Sequence, residues 1–212
     1  MIMTISENLI ELNKIKDGIK TTVNKFGGNC ADDFTEYSLN IERVLVEGPI
    51  RLGEIIEMNI SDGIQRIKDY VFFNNTSISS VSIPNTVQSI GISAFQKCTK
   101  LTGITISDTV TTIGKEAFSE CYNLKTVTLP NHLTTIEYQL FYHCMNLSSV
   151  TIPDSVTVMK TGIFSGCNNL KEVIYQGPLT KWKEIVKNNS FDGIFPHNVK
   201  LKCTDGEYKL NA

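Results

Sequence analysis

The chain has 212 residues and a formal charge of −2, with acidic and basic side chains interspersed. That length suits one domain or one domain with an appendage, and the absence of a basic stripe excludes the phosphate neutralisation that nucleic-acid binding needs. No run approaches the roughly 20 apolar residues of a membrane span, and residues 1–7 have neither the basic n-region nor the apolar h-region of a secretion signal.

Residues 1–50 read as a helical segment. Thr4 and Glu7 have capping-box spacing, and Leu9, Leu12, Ile15, Ile19 and Val23 form an apolar stripe that Gly27-Gly28 ends. Asp33 and Glu36 offer a second box, with Phe34, Tyr37, Ile41 and Val44 along one face. Two short amphipathic helices bury little alone, so residues 1–45 are expected to dock on a larger assembly or to self-associate.

From residue 51 to 177 a different rule holds. Phe72, Phe95, Phe118, Phe141 and Phe164 recur every 23 positions, as do Cys98, Cys121, Cys144 and Cys167, and Ile55, Ile78, Leu101, Leu124, Leu147 and Leu170. A fixed period in this range means a solenoid, because one coil cannot bury its apolar face alone. The pairs Met58/Ile60, Val81/Ile83, Ile104/Ile106, Val127/Leu129 and Val150/Ile152 alternate as a half-buried strand does. Pro84, Pro130 and Pro153 follow these strands and start a turn, with Ser61 and Ser107 in the same slot elsewhere. Val87 and Ile90, repeated as Val110/Ile113, Leu133/Ile136 and Val156/Met159, suit a short extended or 3₁₀ segment across the coil. Gly91 and Gly114 have the look of positive-φ positions, although Glu137 and Lys160 replace them in later coils. Asn123, Asn146 and Asn169 are read as amides satisfying turn backbone. The aligned cysteines are expected to be reduced core thiols, their Cβ atoms pointing inward in parallel. Cys30 and Cys203 lie off the column.

The run Thr151-Ile152-Pro153-Asp154-Ser155-Val156, followed by Phe164-Ser165-Gly166-Cys167-Asn168-Asn169-Leu170, resembles the BspA-like leucine-rich repeats. Val173-Ile174-Tyr175-Gln176-Gly177-Pro178, then Trp182, is similar to the closing segment of such arrays. The resemblance implies an α/β solenoid that serves surface adhesion or protein binding without catalysis. Leu12-Asn13-Lys14-Ile15-Lys16-Asp17-Gly18-Ile19-Lys20, with Phe26-Gly27-Gly28 and Phe34-Thr35-Glu36-Tyr37, resembles a helical module of phage tail-fibre and virion proteins. That second likeness implies assembly into a virion in the host cytoplasm. It would reconcile an adhesive repeat with the lack of a secretion signal.

Residues 178–212 read as a cap. Residues 180–187 suit a short helix with Thr180 as N-cap and Trp182, Ile185 and Val186 on one side, Trp182 plugging the last coil. Residues 199–203 and 207–210, joined through Asp205-Gly206, carry a hairpin signal.

Chemistry-bearing clusters are sparse. His132 and His143 share a coil with Cys144, but His143 should face out while the cysteine faces in, so no metal or other cofactor is expected. Asp108, Asp154, Glu116 and Glu120 are scattered rather than paired as glycoside hydrolysis requires. Two surfaces are candidates for binding. Asn59, Ser82, Thr105, Thr128 and Thr151 form one small, uncharged row on the concave sheet, beside Ser80, Gly103, Thr126 and Ser149, which suits an extended glycan or peptide. Tyr122, Tyr138, Tyr142 and Met145 form an aromatic patch if they face out, and are core variation if they face in. The expectation is a non-enzymatic receptor-binding repeat on a phage tail fibre or virion surface, contacting a protein or cell-surface glycan. A bacterial BspA-like surface adhesin, or a cytoplasmic or cell-surface scaffold, is the alternative, and a tail-spike-like depolymerase the enzyme rival.

Overall fold

The computed structural model describes residues 56–60, 62–188, 195–196 and 198–210. The helical reading of residues 1–50, together with Cys30, Ile55, Ser61 and His197, lies outside them. The chain divides between Glu54 and Ile55, and the second unit is the repeat.

Each coil joins one longer strand to one of two residues. In chain order these are β1 (Ile56–Asn59), β2 (Arg66–Ile67), β3 (Ile78–Ile83), β4 (Ser89–Ile90), β5 (Gly103–Ile106), β6 (Thr112–Ile113), β7 (Thr126–Thr128), β8 (Thr135–Ile136), β9 (Ser149–Ile152), β10 (Val158–Met159) and β11 (Glu172–Tyr175). A helix, α1 (Leu179–Asn188), and two more strands, β12 (Val199–Cys203) and β13 (Gly206–Leu210), follow. The longer strands form one eight-stranded sheet in the order β1-β3-β5-β7-β9-β11-β12-β13, parallel except for the last pair. Its register pairs residues one repeat apart, as in Val81↔Ile104 and Val127↔Val150. The strand-plus-short-strand solenoid is thus the architecture adopted.

The interior is a set of columns. Phe72, Phe95, Phe118, Phe141 and Phe164 stack with ring centroids 5.0, 5.6, 5.9 and 5.8 Å apart and planes within 19° of parallel. Offset stacking of this kind adds to the burial of each ring. The four aligned thiols are free and buried. They do more than fill space: Cys98, Cys121, Cys144 and Cys167 donate to the carbonyls of Phe72, Phe95, Phe118 and Phe141 at 3.0–3.2 Å. The turns behind the strands repeat as well. Val87 N–H donates to the Pro84 carbonyl at 3.2 Å, and Val110 N–H does the same to Ser107 at 3.1 Å, so the turn survives without proline.

Two left-handed positions recur in every coil, and they are not Gly91 and Gly114. Tyr70, Ser93, Glu116 and Gln139 take φ of 50–58°, with Gly162 next in that column. Asn74, Lys97, Glu120 and His143 take 55–62°, followed by Gly166. Such φ values strain a side chain, and they persist because backbone bonds to the next coil hold them. Ser93, Phe95 and Lys97 N–H donate to Lys115, Ala117 and Ser119 carbonyls at 2.9–3.0 Å. Gly91 and Gly114 serve close approach instead. A Cβ on Gly114 would lie 2.6 Å from the Ile92 nitrogen. Where Glu137 replaces the glycine, the second-strand ladder is interrupted: β2, β4 and β6 form one sheet and β8 with β10 another.

The asparagine column satisfies turn backbone only at its start. Asn123 Nδ2 donates to the Thr99 carbonyl at 2.8 Å, whereas Asn146 and Asn169 donate to the preceding asparagine's Oδ1 at 3.2 and 3.3 Å. At the other end, Trp182 is buried against Tyr175, and Phe195 stacks on Phe164. Thr180 is not the N-cap of α1. The helix starts at Leu179, whose N–H donates to Asp205 Oδ1 at 2.9 Å, so the hairpin supplies the cap. The hairpin turn is Thr204-Asp205, and Gly206 already pairs with Cys203.

Candidate binding faces

The sheet presents every second residue outward, because strand side chains alternate. Ser82, Thr105 and Thr128 are exposed and Thr151 is half-buried, with Asn59 exposed at the start of the row. Register pairs Asn59 with Ser82, Ser82 with Thr105, and Thr128 with Thr151. The neighbouring row runs Ser80, Gly103, Thr126, Ser149. Both rows change character at the C-terminal end, where Ile174 and Lys202 follow Thr151, and Glu172 and Lys200 follow Ser149. The face is therefore a strip of hydroxyls closed at one end by charge. It can offer many hydrogen bonds to an extended polar chain, and the charge at its end includes the Glu172–Lys202 ion pair, with Nζ 2.7 Å from Oε1.

The aromatic residues lie on the turn side, and none of the four is in the core. Tyr138 and Met145 are 46% and 42% exposed, and Tyr122 and Tyr142 are half-buried. They are engaged separately. Tyr122 OH donates to Glu120 Oε2 at 2.8 Å, and that hydrogen bond to the carboxylate raises the phenol pKa. The Tyr142 ring lies over His143 at 4.1 Å, and Lys160 Nζ sits 5.6 Å from the Tyr138 ring. Beside Tyr138, a shallow groove of about 640 Å³ runs along the second strands, walled by Arg66, Asp69 and Lys115 and floored by Gly91 and Gly114.

Three of the four carboxylates considered for chemistry have structural employment. Asp108 accepts from Asn131 N–H and Nδ2 at 2.9 Å, Glu116 from Gln96 Nε2 at 3.3 Å, and Glu120 lies 3.8 Å from Lys97 Nζ. His132 Nδ1 lies 2.9 Å from the Asp108 carbonyl, away from the buried Cys144. A second exposed aromatic pair, Tyr70 and Phe73, was not singled out in the sequence. Phe73 is 44% exposed with Lys97 Nζ 5.8 Å above it. The repeat step carries Phe73 onto Tyr142, which is the signal that finds it.

Stacked coils with a parallel sheet along one side, an aromatic column within and a thiol column beside it define a leucine-rich-repeat solenoid. The chain belongs to the BspA-type leucine-rich-repeat family, whose repeat region matches residues 52–171 and 88–193 in 6 copies. No curated protein matches the chain. Among solved structures it is similar to a leucine-rich cell surface protein from Faecalibacterium prausnitzii, at 32% identity and a TM-score of 0.61, over 62% of this chain and 35% of that one. It is also similar to a leucine-rich-repeat protein of T. pallidum (32% identity, TM-score 0.55, 58% and 60% covered). A leucine-rich-repeat protein from Bacteroides ovatus matches at 27% identity and a TM-score of 0.53, over 69% of this chain and 42% of that one. The chain thus spans less than two thirds of each of these relatives.

Proposed function

We propose that this chain is a non-catalytic binding module of a bacterial BspA-type adhesin or interaction scaffold, and that it engages its ligand through the outward face of the eight-stranded sheet. The observation that carries this reading is the registered, uncharged row Ser82, Thr105, Thr128, Thr151. A flat strip of hydroxyls suits an extended glycan or peptide, whose own polar groups repeat along its length. Bacterial origin is supported by the relatives, one of which is named a cell surface protein. The virion setting rests on the likeness of residues 12–37 to phage modules alone, and the bacterial reading is therefore preferred. Residues 1–45 are the proposed docking or self-association segment.

Binding of the full chain to an array of host and bacterial glycans and surface proteins tests the reading. Retention of a defined polymer, unshortened after incubation, is the expected result. Shortened polysaccharide would replace the binding module with a depolymerase, and no retention on any surface would leave an internal structural role.

A further inference from the structure

The β13 edge of the eight-stranded sheet carries a self-complementary charge pattern. Lys200 N–H donates to the Lys171 carbonyl at 2.8 Å and Thr204 N–H to the Gly177 carbonyl at 3.1 Å, so the even-numbered residues of β12 turn their backbone groups toward β11 and the preceding chain. Val199, Leu201 and Cys203 therefore exchange bonds with Leu210, Tyr208 and Gly206, their register partners on β13. This leaves the N–H and C=O groups of Glu207 and Lys209 directed at the free edge, where β13 has no further strand among the described residues. An edge of this kind templates pairing with another strand.

Charge selects the partner. Across the hairpin Lys209 faces Lys200, both exposed, while Lys202 faces Glu207. Lys202 Nζ already sits 2.7 Å from Glu172 Oε1 and 3.7 Å from Glu207 Oε1. Like charges directly opposite destabilise a pair, so Lys209 stands against a cation where a carboxylate would serve better. An antiparallel copy of Gly206-Glu207-Tyr208-Lys209-Leu210, centred on Tyr208, supplies that carboxylate twice: each Glu207 falls opposite the other copy's Lys209. The same register makes these two pairs the hydrogen-bonded ones, using the four backbone groups left free on each strand. Tyr208 and Leu210, half-buried on the other face, then meet the second Tyr208.

We propose that β13 is a self-association edge, through which two copies of this chain join their sheets about a two-fold axis at Tyr208. An isologous contact of this type closes at two subunits. It is distinct from the hydroxyl row Ser82, Thr105, Thr128 and Thr151.

The test is the mass in solution of the full chain and its variants over rising concentration, by sedimentation or light scattering. Wild type is expected to approach twice its monomer mass. Glu207→Lys and Lys209→Glu each place like charges across the edge and are expected to stay monomeric, while an equal mixture of the two restores the doubled mass. Lys209→Glu also sets a carboxylate opposite Lys200 within the hairpin, so its loss of dimer cannot come from a weakened monomer. Unchanged Trp182 emission in each variant verifies the fold. Wild type that remains at monomer mass overturns the proposal, as does doubling by Lys209→Glu equal to wild type, which would place the association elsewhere.

Discussion

Phe195 stacks on Phe164 with ring centroids 5.2 Å apart, although it lies off the 23-residue step that aligns the other five rings. A solenoid exposes the end of its core, and something outside the repeat must cover it. Here the chain returns after α1 to lay one more ring on the column, and Trp182 closes over Tyr175 and Phe195 at 5.2 and 6.1 Å. Trp182→Ala or Phe195→Ala is expected to cost about 3 kcal/mol, in the range for buried aromatic truncation. The urea midpoint followed by circular dichroism measures it. A change under about 0.5 kcal/mol would mean that the cap is dispensable.

Position along the column should set the cost of losing a ring. Phe118 is fully buried between two neighbours, whereas Phe72 is 8% exposed with a described ring on one side only. Phe118→Ala is expected to destabilise by about 4 kcal/mol and Phe72→Ala by less, both read from urea midpoints at unchanged m. Equal losses would contradict a stack whose rings support one another.

The columns were legible because a side chain repeated at one spacing reports directly on what it packs against. The cap was legible in kind but not in detail. Phe195 carries no periodic signal, and Asp205 reaches Leu179 across a gap that local capping rules do not span. The left-handed positions were hidden for another reason. Tyr, Ser, Glu and Gln occupy one column and Asn, Lys, Glu and His the other, held by bonds to the next coil, and Gly162 and Gly166 hint at the backbone beneath only in the last coil. Gly91 and Gly114 misled because glycine answers to two needs, positive φ and close approach, that one sequence cannot separate. The outward row could be located from alternation, but nothing in a hydroxyl names its ligand.

Those left-handed positions make opposite predictions for glycine. Gln139, at φ 53°, should accept glycine with no loss and a gain of up to about 1 kcal/mol, because relief of strain offsets the added freedom of the unfolded chain. Gly162→Val, at φ 73° with Gln139 Cγ 3.0 Å from the new Cβ, should cost at least about 2 kcal/mol. Thermal melts of the two variants are the measurement, and a destabilised Gln139→Gly would contradict the assignment.

Burial raises the thiols of Cys98 and Cys167 from 9.0 to about 12, and desolvation lifts the Tyr175 phenol from 10.0 to about 12. These groups are neutral acids in the folded protein. Below pH 9 they are neutral in both states and stability is unaffected. Between about 9 and 12 the unfolded chain ionises first, so stability falls as pH rises. Melting temperature is expected to be flat with respect to these groups up to pH 9 and to decline above it. Cys98, Cys121, Cys144 and Cys167 should react with a thiol reagent only as the protein unfolds. Tyr175→Phe removes a buried hydroxyl that has no hydrogen-bond partner among the described residues, and should leave stability at neutral pH unchanged or raised by about 1 kcal/mol.

The claim that recognition belongs to the hydroxyl strip is tested most directly by affinity for the ligand retained on the array, measured for wild type, Thr105→Lys/Thr128→Lys and Tyr138→Ala/Tyr142→Ala. Lysines on the exposed strip leave the core untouched; at least a tenfold loss of affinity there, about 1.4 kcal/mol, is expected alongside near-wild-type binding by the tyrosine variant. Full affinity in the lysine variant, with binding lost on removing Tyr138 and Tyr142, would contradict it and move the site to the turn side.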